Sequence, residues 1–389
     1  MNCSLPLTST LAPGSALPAA AAPARPLSVL HVINGEYYAG AERVQDLLAL
    51  GLPRFGCRPG FVCVKPGRFA KDRRSAETPL VSIPLRHPWD RRAVRAIAEL
   101  VRSAGYDLLH AHTPRSAWAA LSAGRITGRP VVYTVHDLFL GQAETLAQRL
   151  ANHYTIRRLR QAAMVIAVSP EGYRLAERLR LGKSRGLVLN GVPAAGGMAE
   201  RGTPDEWTLG TVALIRPSKG IELLIRATAR LRDRGRKVKT VVVGPFHTPQ
   251  YEREIRELVH SLGAAGVVEL AGFSDDVPAH LRTFDLFVLP SVGPEGLPMV
   301  MLEAMAQGVP VIGSDVPGIG DMLRDGIDGR VVRAGSTRAL ADGIDDFLLG
   351  RCDWQAARRA VFRRHRDEFS DQRMARETAG IYRMVAGAM

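Results

Sequence analysis

The sequence predicts an α/β protein made of two doubly wound, Rossmann-like domains, and three observations carry that prediction. Short β-rich apolar runs alternate with helical patterns along the chain. The runs are continuously apolar rather than strictly alternating, which marks strands covered on both faces and hence parallel sheets with crossover helices. After Gly191 a stretch rich in Ala, Gly and Pro, through Gly196, Gly197, Gly202 and Pro204, splits the runs into two series.

Residues 1 to 25 precede the first run. The first 24 carry no charged side chain and are rich in Ala, Pro, Ser and Thr, so they bury too little surface to order themselves and read as a disordered tail. Pro6, Pro13 and Pro18 interrupt any apolar core a secretory signal would need, and no Lys or Arg precedes them. No later segment offers 18 uncharged apolar residues. The expected location is therefore the cytoplasm.

The first series runs through LSVLHVI from Leu27, FVCV from Phe61, DLLHAH from Asp107, PVVYTVH from Pro130 and AMVIAVS from Ala163. It predicts one domain over 26–200. A second series begins near Trp207 with TLGTVAL from Thr208 and continues through KTVVVG, VVELAG, DLFVLP and PVIGSD. It predicts a second domain over 201–368. The last stretch, 369–389, is helical by pattern and offers Met374, Ile381, Tyr382 and Val385 for burial against a neighbour, expected to be the N-terminal domain.

Composition limits the class. With 389 residues and 46% hydrophobic content, the chain can fill two cores and is no disordered or short module. The cysteines, Cys3, Cys57, Cys63 and Cys352, show neither C-x-x-C spacing nor His pairing, which argues against a zinc site or a disulfide framework. The net charge is +14. Residues 25 to 200 hold 26 Lys and Arg against 13 Asp and Glu, whereas the remainder holds 26 against 25. The excess sits in the first half. There Arg91, Arg95 and Arg102 recur at helical spacing beside Arg92, opposite Val94, Ile97 and Val101; Arg157, Arg158 and Arg160 make a second cluster. Each cluster alone reads as a solvated face. Their sum points to an anionic partner: a membrane surface, an acidic acceptor or nucleic acid.

At strand ends of the second series the residues suit phosphate chemistry. The loop IRPSKG puts Arg216 and Lys219 before a helix beginning near Gly220. Arg can bind phosphate oxygens bidentately and Lys acts as a point charge, so the pair suits a diphosphate. In EGLPMVMLEAMAQGVPVIGSD, Pro298 suits the first helical turn and Gly308 the residue past its end. Glu295 then lies on the loop, and amides near Leu297 and Met299 form an anion site at a helix N-terminus. Glu303 lies on the helix among Val300, Met301, Leu302, Ala304, Met305 and Ala306, where a buried carboxylate needs partners. Taken singly, a solvated Glu and a solvated basic turn compete with this reading. Phosphate plus hydroxyls together suggest a sugar nucleotide.

These residues resemble a family. Glu295 to Glu303 match the E-x7-E motif, and Arg216 with Lys219 the basic loop, of the retaining GT-B glycosyltransferases of family 4. The resemblance covers the chain from about Leu27 onward. It implies two facing Rossmann-like domains with an interdomain cleft, and a second domain that binds a UDP- or GDP-linked sugar. Glu303 would hold ribose hydroxyls and Glu295 the donor sugar, with Gly296, Leu297 and Pro298 near the phosphates. Arg216 and Lys219 would carry the diphosphate. In the first domain YAGAERV looks like the family's glycine-rich loop, with Ala39 standing where a first glycine is common and Gly40 left to allow close approach. INGEYYAGAE also lacks G-x-G-x-x-G, against a dinucleotide dehydrogenase.

His136, in TVHD, stands where the family often places a histidine near the transferring sugar, with Asp137 as a helix cap. His110 and His112 in DLLHAHTP rank below it, since a His at a strand end is more often structural. Asn190 in VLNGVP, Ser169 in AVSPEG and the run GFSDDVP at Gly272 are also familiar in position; Asp275 and Asp276 read as caps rather than metal ligands. The implied reaction moves a hexose-type sugar to an acceptor hydroxyl, with the departing phosphate assisting deprotonation on the same face. It needs no metal and no cofactor. Expected partners are the nucleotide sugar, a glycan or lipid-linked acceptor in polysaccharide, glycolipid or cell-envelope glycan synthesis, and an anionic membrane surface reached peripherally, with no nucleic acid. Two alternatives stay open: a sugar-nucleotide epimerase of the same fold, and a non-catalytic basic binding protein.

Overall fold

A computed structural model describes residues 25–87, 89–136 and 145–387. The expected disordered tail, Arg25 apart, and the expected cap Asp137 lie outside them. Arg25, last residue of that tail, is held rather than loose, because its guanidinium donates to both oxygens of Asp107. Contacts divide the chain into two units, one of Met1–Gly191 with Asp371–Met389 and one of Val192–Ser370.

The first unit is built on a seven-stranded, all-parallel sheet. Its strands are β1 (Leu27–Ile33), β2 (Cys57–Cys63), β3 (Leu80–Ser82), β4 (Leu108–Ala111), β5 (Val131–Val135), β6 (Met164–Ala167) and β7 (Ser184–Leu187). Their order is β3-β2-β1-β4-β5-β6-β7. β1 is followed outward by β2 on one side and by β4 on the other, so the topological switch point lies between β1 and β4. Leu30, Val32, Leu109 and Tyr133 on one face pack with Val94, Ile97, Ala117 and Ala120 of two crossover helices. Continuous apolar runs are what burial on two faces demands. The terminal helix Asp371–Gly387 covers the helix Gly40–Gly51 of this unit, burying Met374, Ile381, Tyr382 and Val385.

The second unit repeats the plan with β8 (Trp207–Val212), β9 (Val238–Val243), β10 (Val268–Gly272), β11 (Leu286–Leu289), β12 (Val311–Ser314) and β13 (Gly329–Val332). All pair in parallel, in the order β10-β9-β8-β11-β12-β13. Its switch point is β8/β11. One core, around Leu209, Val288 and Ile312, meets the helices Ile221–Asp233 and Thr337–Leu348. A second, around Val242, Ile225 and Ile255, continues the same face toward β9 and β10. Asp328 is fully buried and held by Arg324 and Arg364, which keep its carboxyl below the usual range despite burial.

Two details depart from the sequence reading. Pro298 caps the helix Met299–Ala306 instead of entering its first turn; its extended ψ of 118° stops the helix one residue short. A short 3-10 turn, Pro217–Lys219, precedes the helix at Ile221. Glu303 is half-buried as a residue, since this helix keeps one edge open, while its Oε2 is buried, as the sequence reading of a buried carboxylate expects.

Candidate functional site

In parallel sheets the loops after neighbouring strands emerge side by side at the carboxyl edge. β8 and β11 are neighbours, so the loop carrying Arg216 and Lys219 meets the loop carrying Glu295. Lys219 Nζ donates to Glu295 Oε1 at 2.6 Å, and the Ser291 hydroxyl donates to the same oxygen at 2.9 Å. The pair is largely enclosed, with side-chain exposures of 19% and 16%. The Arg216 side chain is exposed and makes no hydrogen bond or ion pair with any described residue. This edge therefore offers one free guanidinium beside one ammonium already half-neutralised.

Backbone contacts fix the two loops. The Val292 amide donates to Ser218 O at 3.0 Å, and Gly220 adopts φ +63°, where a Cβ would stand 2.1 Å from Pro290 O. Only glycine lets these chains approach. On its other side the Glu295 amide donates to Pro317 O at 2.9 Å. Gly296 and buried Leu297 lead to Pro298 and the helix Met299–Ala306. The first amides of that helix have no carbonyl of their own turn to bond, which leaves a positive helix end next to Glu295. At the same edge a cavity of about 340 Å³ is lined by Gly244, Phe246, Glu252, Arg256 and Gly272, after β9 and β10. Asp276 caps the helix Val277–Thr283 through the Ala279 amide.

The first unit gathers four histidines about its switch point. In register, His31 of β1 lies opposite His110 of β4, and two-residue periodicity sets His112 on the same face as His110. His136 follows β5, the next strand. His31 Nδ1 lies 3.0 Å from His112 Nε2, and His112 Nδ1 lies 3.1 Å from His136 Nε2. His110 bonds Tyr382 Oη at 2.6 Å and Thr134 Oγ1 at 2.7 Å, so both its nitrogens are engaged. Burial lowers the pKa of His31 to about 3 and of His136 to about 4, and holds His110 and His112 well below the ordinary value. Ligand atoms of His31, His110 and His112 come within 4.8 Å of one another, a spacing open to a metal ion. The committed nitrogens of His110 would first have to leave their partners.

Other expected residues fall elsewhere. Gly40 is exposed at the start of the helix Gly40–Gly51. Ser169 is buried, and its hydroxyl accepts from the Gly172 amide as a helix cap. Asn190 is buried beside Gly191, where the first unit's main run ends. Arg91, Arg95 and Arg102 are exposed along the helix Arg91–Ser103 while Val94, Ile97 and Val101 are buried. The sequence reading missed Ser291 and His31. A lone histidine inside the apolar run LSVLHVI was the available signal for the latter.

Two all-parallel, doubly wound sheets with polar side chains gathered at their switch points define the class as a GT-B fold. The family descriptions "Glycosyltransferase Family 4" and "Glycosyl transferases group 1" match residues 38–193 and 199–364. The chain belongs to the family 4 glycosyltransferases. It is similar to the phosphatidyl-myo-inositol mannosyltransferase of Mycobacterium leprae, 26% identical over 61% of this chain and 63% of that protein. It is also similar to the D-inositol 3-phosphate glycosyltransferase of Salinispora tropica, 30% identical over 73% of this chain and 65% of that protein. The matched region thus spans less than two thirds of either relative's length. Among solved structures, HepE of Anabaena in complex with UDP superposes with a TM-score of 0.80 at 20% identity, covering 92% of this chain and 100% of that one.

Proposed function

We propose that the protein is a retaining glycosyltransferase that moves a sugar from a UDP- or GDP-linked donor to an acceptor hydroxyl, in the assembly of a polysaccharide, glycolipid or cell-envelope glycan. The observation that carries this reading is the Lys219–Glu295 pair at the β8/β11 switch point, flanked by Arg216 and a helix N-terminus. As the anomeric C–O bond breaks, its electron pair goes to the leaving diphosphate. Arg216, Lys219 and the first amides of Met299–Ala306 stabilise that charge. Glu295 faces the positive charge developing on the sugar, and Glu303 holds the ribose hydroxyls. The acceptor oxygen bonds the anomeric carbon on the face the phosphate leaves, and its proton passes to that phosphate. His136 makes a polar contact with the sugar or acceptor.

The cations in this scheme are side chains, so the transfer needs no metal and should survive a chelator. Screening sugar nucleotides for nucleoside diphosphate release, with Glu303→Ala as control, tests the proposal. An intact isomeric sugar nucleotide as sole product would instead establish an epimerase.

The reading extends to a membrane-borne acceptor. The helix Leu146–Leu159 exposes Leu146 by 73%, Leu150 by 65% and Tyr154 by 44%, one turn apart, alongside exposed Arg149, Arg157 and Arg160. An apolar stripe edged with arginines suits an anionic bilayer surface. The protein should float with anionic liposomes at low salt and lose that binding on Leu150→Ser; absence of flotation would favour a soluble acceptor. Among the described residues no helix is long and apolar enough to cross a membrane.

A further inference from the structure

The three rings His31, His112 and His136 form a chain that starts in the core and ends at a half-exposed residue. The rings of His31 and His112 are inclined by 12°, and those of His112 and His136 by 27°. Each link joins the Nδ1 of one ring to the Nε2 of the next. A neutral imidazole has one N–H and one lone pair. Two links among three neutral rings are both satisfied only if every ring is the same tautomer, so that all protons point one way along the chain. A His112 that donated at both ends would be an imidazolium, and one that accepted at both ends an imidazolate; burial at 3% exposure opposes either charge.

Two uniform arrangements remain, and the inner end of the chain separates them. His31 Nε2 is buried without any hydrogen-bond partner, on a residue that is 0% exposed. If protons pointed inward, that atom would be an N–H sealed in the core with no acceptor. If they point outward, it is a bare lone pair. Orphaned buried N–H groups are the rarer and costlier of the two. The outward arrangement puts the proton of each ring on Nδ1. His110 takes no part, since Tyr382 and Thr134 occupy its nitrogens.

We infer that His31 and His112 are positioning residues that hold His136 as its Nδ1–H tautomer, making it a hydrogen-bond donor to a sugar or acceptor oxygen and not a proton-accepting base. The inference rests on the proposed role of His136 for its use, though not for the tautomer itself. Its Nε2 is committed to the bond from His112 Nδ1, and the edge left for a ligand carries the proton. The depressed pKa of His136, about 4, keeps the ring in this neutral form near pH 7.

The test is two-bond 15N–1H correlation NMR on the full chain with 15N-labelled imidazoles. Wild-type His136 should show Nδ1 as the protonated nitrogen. His112→Leu should shift it toward Nε2–H, the form an unconstrained side chain prefers in water, and lower the transfer rate about tenfold. His112→Asn, whose amide nitrogen can replace the Nδ1–H donor, should restore both. If His112→Leu fails to fold, His31→Phe, which keeps a ring in the core, supplies the comparison: releasing the inner link should make the His136 signal a tautomer mixture. An Nε2–H signal in the wild type, or a His136 signal unmoved by either replacement, would overturn the inference. Activity unchanged in His136→Ala alongside the expected tautomer would instead refute the proposed contact and leave the tautomer lock standing.

Discussion

Lys219 and Glu295 are 76 residues apart in the chain, yet their side chains meet at 2.6 Å because β8 and β11 are adjacent in the sheet. The ammonium is aimed and partly neutralised before any ligand arrives. A diphosphate would compete with Glu295 for it, and that competition separates the roles of the two residues.

Lys219→Ala should weaken nucleoside diphosphate binding by about ten- to a hundredfold, the range of a charge-assisted hydrogen bond. Glu295→Gln should leave nucleoside diphosphate binding intact or improved, because Lys219 is released, while lowering turnover of the sugar nucleotide. Calorimetry with both ligands reads this directly. Equal losses for both ligands in Glu295→Gln would refute a sugar-facing carboxylate.

Glu303→Ala should raise the donor dissociation constant about tenfold with a small effect on turnover, since a ribose contact is equal in ground and transition states. A donor affinity equal to that of the wild type would remove the ribose assignment.

Gly220→Ala places a Cβ 2.1 Å from Pro290 O at φ +63°. The backbone cost alone is about 1–2 kcal/mol, and relieving the clash must move the loop that aims Lys219. The unfolding midpoint of the protein should drop by several degrees and donor binding should weaken. A replacement that changes neither would show that this close approach is dispensable.

The histidine cluster makes stability depend on pH. The folded pKa of His31, about 3, and of His136, about 4, lie below the unfolded value near 6.5, so the unfolded chain binds the extra protons. Stability is therefore fully present above pH 6.5 and falls as pH drops from there toward 4, by about 1.4 kcal/mol per pH unit for each such group. Urea denaturation at pH 7, 6 and 5 should show the fall, and His31→Phe should reduce its slope. Parallel slopes for the two proteins would exclude His31 as a contributor.

Central strands were legible in the sequence because both faces are covered: LSVLHVI, DLFVLP and KTVVVG read as unbroken apolar runs. β3, β7 and β13 were not read. They lie at sheet edges, where one flank needs less cover, and so include Ser82, Ser184, Arg185 and Arg330. Arg216, Lys219, Glu295 and Glu303 stood out as a spacing of charges around turn residues. Ser291 did not, since nothing local distinguishes a serine that ends a strand from one that donates to a carboxylate.

By itself the sequence determined that there are two doubly wound units, where the central strands lie, and that charged loops follow β8 and β11. Those features are local: burial writes itself as periodicity, and turns as Gly and Pro. Only the tertiary structure decided that Lys219 faces Glu295 and that His31 links through His112 to His136. Both pairings depend on strand order and register, which arise from how sheets and helices cover one another, and neighbours across a sheet leave no spacing in the chain.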